Sequence, residues 1–99
     1  MFKRGREIEA FAANLAREFA ARCSPEKASP ADKGAALQIA RAIDDVCSRA
    51  TTYRREQKLG MYGKAKLAST FKLELKELGY SADFIDALTR QLVLKMSAS

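Results

Sequence analysis

Ninety-nine residues suffice for one domain with its own core. A composition of 47% hydrophobic and 30% charged residues excludes a disordered tail, and no apolar run approaches the roughly 20 residues that a bilayer span needs. The net charge is +6 and there is no histidine, so no Cys-His or Ser-His pair exists for nucleophilic chemistry.

The helix formers Ala, Leu, Lys, Arg and Glu dominate and strand signals are nearly absent, which predicts an all-α fold, a compact bundle of four helices with a long second helix. In the first helix, expected from Arg6 to Arg22, Ile8, Phe11, Leu15 and Phe19 recur at spacings of three and four and share one face. Ala12, Ala16 and Ala20 flank that stripe and would let a neighbouring helix approach closely. Glu7 and Glu9 near its start and Arg17 and Arg22 near its end suit the helix dipole, and Ser24-Pro25 stops it. Glu7, Glu9, Asn14 and Arg17 interrupt the apolar residues, so this N-terminal stretch does not read as a secretory signal; the cytoplasm is the expected location.

The second helix is expected over 30–59. Ser29 suits its cap, Pro30 its first position and Asp32 its capping-box acid. The stripe Ala36, Ile39, Ala40, Ile43, Val46, Cys47, Ala50, Tyr53 runs without a breaker to Gly60, which is expected to be the left-handed cap. Such a helix would be about 45 Å long. A third helix, beginning at Gly63 or Lys64 and ending at Leu78, buries Leu67, Phe71, Leu75 and Leu78, with Gly79 after its end. A fourth, over 81–96, starts on a Ser81 cap, with Asp83 in its first turn and Tyr80 positioned to pack on Ile85. Its core face is Ile85, Leu88, Leu92 and Met96. Short connections predict that successive helices are antiparallel neighbours.

Cys23 and Cys47 lack zinc-ligand spacing and read as two buried free thiols. A hairpin turning at Pro25–Ala28 would set Cys23 beside Pro30, roughly 25 Å from Cys47 at about 1.5 Å per residue. Asp44 and Asp45 are adjacent carboxylates that point about 100 degrees apart on a helix, so they are no ready-made acid pair. These features predict a protein that is not an enzyme and needs no metal or cofactor.

The charge surplus is local. Residues 1–45 carry 8 basic and 7 acidic side chains and residues 73–99 carry 3 and 4, whereas residues 46–72 carry 7 basic side chains against Glu56 alone. That asymmetry concerns an anionic partner rather than the fold. Within it, Gly60-Met61-Tyr62-Gly63-Lys64-Ala65-Lys66 predicts a flexible turn leading into a helix start, where backbone N–H groups can hold an anion. Lys64 and Lys66 would stand in the first helical turn, which is unfavourable for cations unless an anion is bound. Glycines at this spacing also clamp the backbone in the KH domains that bind nucleic acid, but that fold needs strands. Arg54, Arg55 and Lys58 belong at a helix C-terminus even without a ligand. The expected site is therefore Arg54, Arg55, Lys58, Gly60, Tyr62, Gly63, Lys64 and Lys66, contacting nucleic acid or another polyanion, with Tyr62 stacking on single-strand bases. A solvated basic surface is the plain alternative. A different class of partner, a protein or a second copy of the chain, is suggested by Leu73, Val93 and Leu94, which fall outside the core stripes.

Overall fold

The computed structural model describes residues 3–25 and 33–98. Four helices follow in order, α1 (Lys3–Arg22), α2 (Lys33–Gln57), α3 (Met61–Leu78) and α4 (Ala82–Ala98), and no strand occurs among the described residues. They pack as a four-helix bundle in which α2, at 25 residues, is the longest member. The expected cap at Ser29, Pro30 and Asp32 lies outside the described residues.

The 3.6-residue period places the apolar faces well. Ile8, Leu15, Phe19, Ile39, Val46, Leu67, Phe71, Leu75, Ile85, Leu88, Leu92 and Met96 are buried in one core, with Phe11 and Ile43 partly buried against it. On α2 the face is turned slightly from the expected one: Ala42 is buried, while Ala36 and Ala40 are exposed. Alanines carry little apolar area, so they locate a face poorly.

Helix directions follow from the side-chain pairs. Arg17 on α1 pairs with Glu74 on α3 at 2.8 Å, Glu9 pairs with Lys66 at 3.2 Å, and the Tyr80 hydroxyl donates to the Cys23 carbonyl. Each pair is separated by 57 positions, a constant offset that requires α1 and α3 to run in the same direction. Arg22 pairs with Asp45 and Glu18 with Arg49; here one number rises as the other falls, so α2 runs antiparallel to α1. Successive helices are thus antiparallel, but the closest packing is α1 on α3, with α2 packed chiefly on α4. The expected α1–α2 hairpin is the looser contact. Ala12 and Ala16, both fully buried, leave room for α3 to approach.

Cys23 lies with its sulfur 4.0 Å from the Gln38 carbonyl; the expected neighbour Pro30 lies outside the described residues. Nine residues of helix still separate Gln38 from Cys47, roughly 13 Å along the axis, and both thiols are free and buried.

The chain turns from α2 into α3 in three residues. The Leu59 N–H donates to the Arg54 carbonyl at 3.0 Å and the Lys58 N–H to the Arg55 carbonyl at 3.2 Å, the paired bonds of a Schellman motif. Its left-handed residue is Lys58, with φ of 52°, and not Gly60. Gly60 has φ −85° and serves instead as the N-cap of α3. The earlier stop has a physical reason: Leu59 is buried, and burying a leucine contributes about 1.5–3 kcal/mol. That exceeds the roughly 1–2 kcal/mol cost of a left-handed non-glycine residue. The α3–α4 connection repeats the motif with Gly79 at φ 103°, its N–H and that of Tyr80 donating to Lys76 and Leu75. Ser81 then caps α4, its hydroxyl accepting from the Phe84 N–H at 3.3 Å, as its sequence position predicts.

Candidate functional site

Because α1 and α3 run parallel and α2 returns between them in sequence, the N-termini of α1 and α3 and the C-terminus of α2 lie at one end of the bundle. That topology gathers charges that are far apart in the chain. Arg6 enters from α1, Arg54 and Arg55 from the last turn of α2, Lys58 from the connection, and Lys64 and Lys66 from α3.

The individual placements correct the expected loop. Met61, Tyr62 and Gly63 form the first turn of α3, so the glycine pair does not flank a free turn. Gly63 is buried, and a Cβ there would meet the Leu59 side chain at 3.0 Å; its lack of a side chain serves close packing. Lys64 and Lys66 stand four and six residues past the Gly60 cap, beyond the first turn, where the dipole penalty is largely gone. Their placement therefore needs no bound anion to explain it. Lys66 is also neutralised: a hydrogen bond from its Nζ to Glu9, the charge of Glu9 and its contact with Tyr62 push its ammonium pKa up.

Two other members of the central surplus are paired away from this end, Arg49 with Glu18 and Lys72 with Asp86. Among the described cations without an ion-pair partner, Arg41, Lys76 and Arg90 lie elsewhere on the molecule, and Arg6, Arg55, Lys58 and Lys64 lie at this end, where Arg6, Arg55 and Lys58 are exposed. Arg54 is half-buried beside them. Tyr62 and Met61 project from the same end, 73% and 83% exposed. Between the first turns of α1 and α3 lies a cleft of about 560 Å³, floored by Ile8 and Leu59 and edged by Arg6, Lys58, Tyr62 and Lys66. Arg6 was not a sequence candidate. Nothing in its local pattern links it to residues 58–66; only the parallel pairing of α1 with α3 does.

The off-stripe apolar residues do not form one patch. Leu73 is 58% exposed and shares a shallow groove with Glu9, Tyr62 and Lys66 on the α1 side of α3. Leu94, 63% exposed, stands on the outer face of α4, between Asp86, which reaches Lys72, and Lys95, which reaches Asp44 at 3.7 Å. Val93 is the least exposed of the three. Asp44 and Asp45 serve different neighbours, Lys95 and Arg22. Among the described residues no group of three cysteine or carboxylate side chains converges as metal ligands, and no helix is long and apolar enough to cross a membrane. Comparison with protein-family models, with curated proteins and with solved structures finds no match for this chain.

Proposed function

We propose that this chain is a small non-enzymatic binding protein whose basic end contacts the phosphate backbone of a nucleic acid. The observation that carries the reading is the convergence of three helix termini, which brings Arg6, Arg55, Lys58 and Lys64 to one end of the bundle, with Arg6 and Lys58 lining a cleft beside the exposed Tyr62. Cations that lack protein partners are available to phosphates, and each phosphate contact releases a counterion. An exposed aromatic ring among them offers a stacking surface for an unpaired base. Helix ends, rather than a helix flank, are presented, which does not suit insertion of a recognition helix into a major groove. Single strands are therefore the favoured form.

The test is fluorescence anisotropy with labelled single-stranded and duplex oligonucleotides. Replacing Arg55, Lys58 and Lys64 together by alanine is expected to weaken binding for every sequence alike, since phosphate contacts carry no base information. Tyr62→Ala is expected to weaken single strands more than duplex. Equal binding by the triple variant and the parent would refute the reading.

A second reading, a protein partner or a second copy of the chain, is favoured by the exposure of Leu94 on the outer face of α4 and of Leu73 over the α1–α3 groove. Sedimentation at low and high salt separates the two classes. Apolar self-association persists at high salt and is lost in Leu94→Ser or Leu73→Ser.

A further inference from the structure

The cleft between the first turns of α1 and α3 has a composition of its own within the basic end. Its volume, about 560 Å³, lies in the roughly 300–1,000 Å³ range of small-molecule sites. The floor is apolar, from Ile8 and Leu59, and one wall is the ring of Tyr62. Tyr62 stands beside Lys66 in the lining, and most of its surface stays open. Arg6 and Lys58 stand at the mouth. Glu9, paired with Lys66 at 3.2 Å, also lines the cleft and supplies a hydrogen-bond acceptor beside the two cations.

Gly60 adds an independent observation. Its φ of −85° is open to any residue, and a Cβ at this position would meet nothing within 4 Å. Neither conformation nor packing within the chain calls for glycine here. Serine, aspartate or asparagine would cap α3 better, yet no side chain makes that cap bond. A bare backbone at the edge of a cleft suits the close approach of a ligand.

We propose that this cleft is a nucleotide subsite: Arg6 and Lys58 take the phosphate, the ring of Tyr62 takes the base, and Glu9 accepts hydrogen bonds from the sugar or the base. This deepens the proposed function and rests on it. The shared chemistry is a base joined to a phosphate, supplied either by a free nucleotide or by one unit of a single strand.

The test is an amide-detected NMR titration with adenosine 5′-monophosphate, adenosine and inorganic phosphate in parallel. The monophosphate is expected to shift Arg6, Gly60, Tyr62 and Gly63 first and to bind about tenfold or more tighter than either part alone, equivalent to about 1.4 kcal/mol or more. Gly60→Asp places a carboxylate at the mouth and supplies the missing cap, so it is expected to melt no lower than the parent while losing the monophosphate. Inorganic phosphate binding as tightly as the monophosphate, or unimpaired monophosphate binding by Gly60→Asp, overturns the subsite. Oligonucleotide binding without monophosphate binding also overturns it and leaves the basic end standing; the absence of both overturns both. Displacement of the monophosphate by a short single strand assigns the cleft to a strand unit, and its retention assigns it to a free nucleotide; either keeps the subsite.

Discussion

Lys58 holds the left-handed position that ends α2, and its ammonium is one of the cations without a partner. Backbone and side chain therefore pull in different directions. Lys58→Gly relieves the left-handed backbone and is expected to stabilise the fold by about 1 kcal/mol, raising Tm by about 4–8 °C in a domain of this size. The same change removes one cation of the proposed site, so oligonucleotide affinity is expected to fall. A higher Tm with unchanged affinity would take Lys58 out of the site. Tyr80 carries the opposite kind of constraint. Its hydroxyl donates to the Cys23 carbonyl across the α1–α3 pair, and burial, with a smaller contribution from the Cys23 thiol, pushes its pKa from 10.0 up to about 12. A raised pKa in the folded state means that this stabilisation is fully present below about pH 10 and is lost as pH rises through about 12. Tyr80→Phe is expected to cost about 1–2 kcal/mol at neutral pH, and its stability should fall less between pH 10 and 12 than that of the parent in urea titrations. Burial likewise raises the Cys47 thiol, opposed by Lys95 and aided by Asp44. Both cysteines should react slowly with a thiol reagent in the native protein and fully in unreduced, denatured protein.

The close packing of α1 on α3 is accompanied by small residues on α1, and that of the α2–α3 connection on α3 by Gly63. Ala12 and Ala16 are fully buried, and Ala16→Leu is expected to destabilise by about 1–3 kcal/mol through overpacking, read as a lower urea midpoint. Gly63→Ala tests the packing of the α2–α3 connection, because alanine is otherwise the better helix former by up to about 1 kcal/mol. Here its Cβ would press on two Leu59 side-chain atoms at 3.0 Å, and buried Leu59 has little room to yield, so a net loss of stability is expected. A net gain would show that Leu59 moves aside freely. These interfaces also mark the limit of what the sequence discloses. Periodicity identifies the buried faces of α1, α3 and α4, because large residues such as Leu67, Phe71, Leu75 and Ile85, Leu88, Leu92, Met96 recur every three or four residues, and that of α2 only approximately, because its stripe leans on alanines. It carried no information on which face meets which, so the parallel α1–α3 contact and the place of Arg6 could not be read. The end of α2 was misplaced because Gly60 matches the usual helix terminator. The deciding quantity was the burial of Leu59, a tertiary effect. Six of the eight expected site residues, Arg54, Arg55, Lys58, Gly60, Tyr62 and Lys64, stand at the basic end much as their order in the chain implies. Gly63 is taken up by packing and Lys66 by Glu9.

At the scale of the whole molecule, the fold converts a run of charge in the sequence into a charged end of an elongated body, 46 Å by 26 Å by 19 Å. Pairs along the flanks neutralise Arg17, Arg22, Arg49, Lys72 and Lys95; Arg41, Lys76 and Arg90 stand singly elsewhere, whereas Arg6, Arg55, Lys58 and Lys64 are grouped at the end where the helix termini meet. Such a distribution steers an anionic partner to one end, in a manner that salt suppresses. The most direct test is therefore the affinity for a labelled single-stranded oligonucleotide over a series of salt concentrations. Contacts from Arg6, Arg55, Lys58 and Lys64 should give a slope of log K against log salt of about −3, from about −0.7 per phosphate contact on single strands. The slope should flatten by about 2 when Arg55, Lys58 and Lys64 are replaced by alanine. No binding at low salt, or a slope that those replacements leave unchanged, would contradict the account.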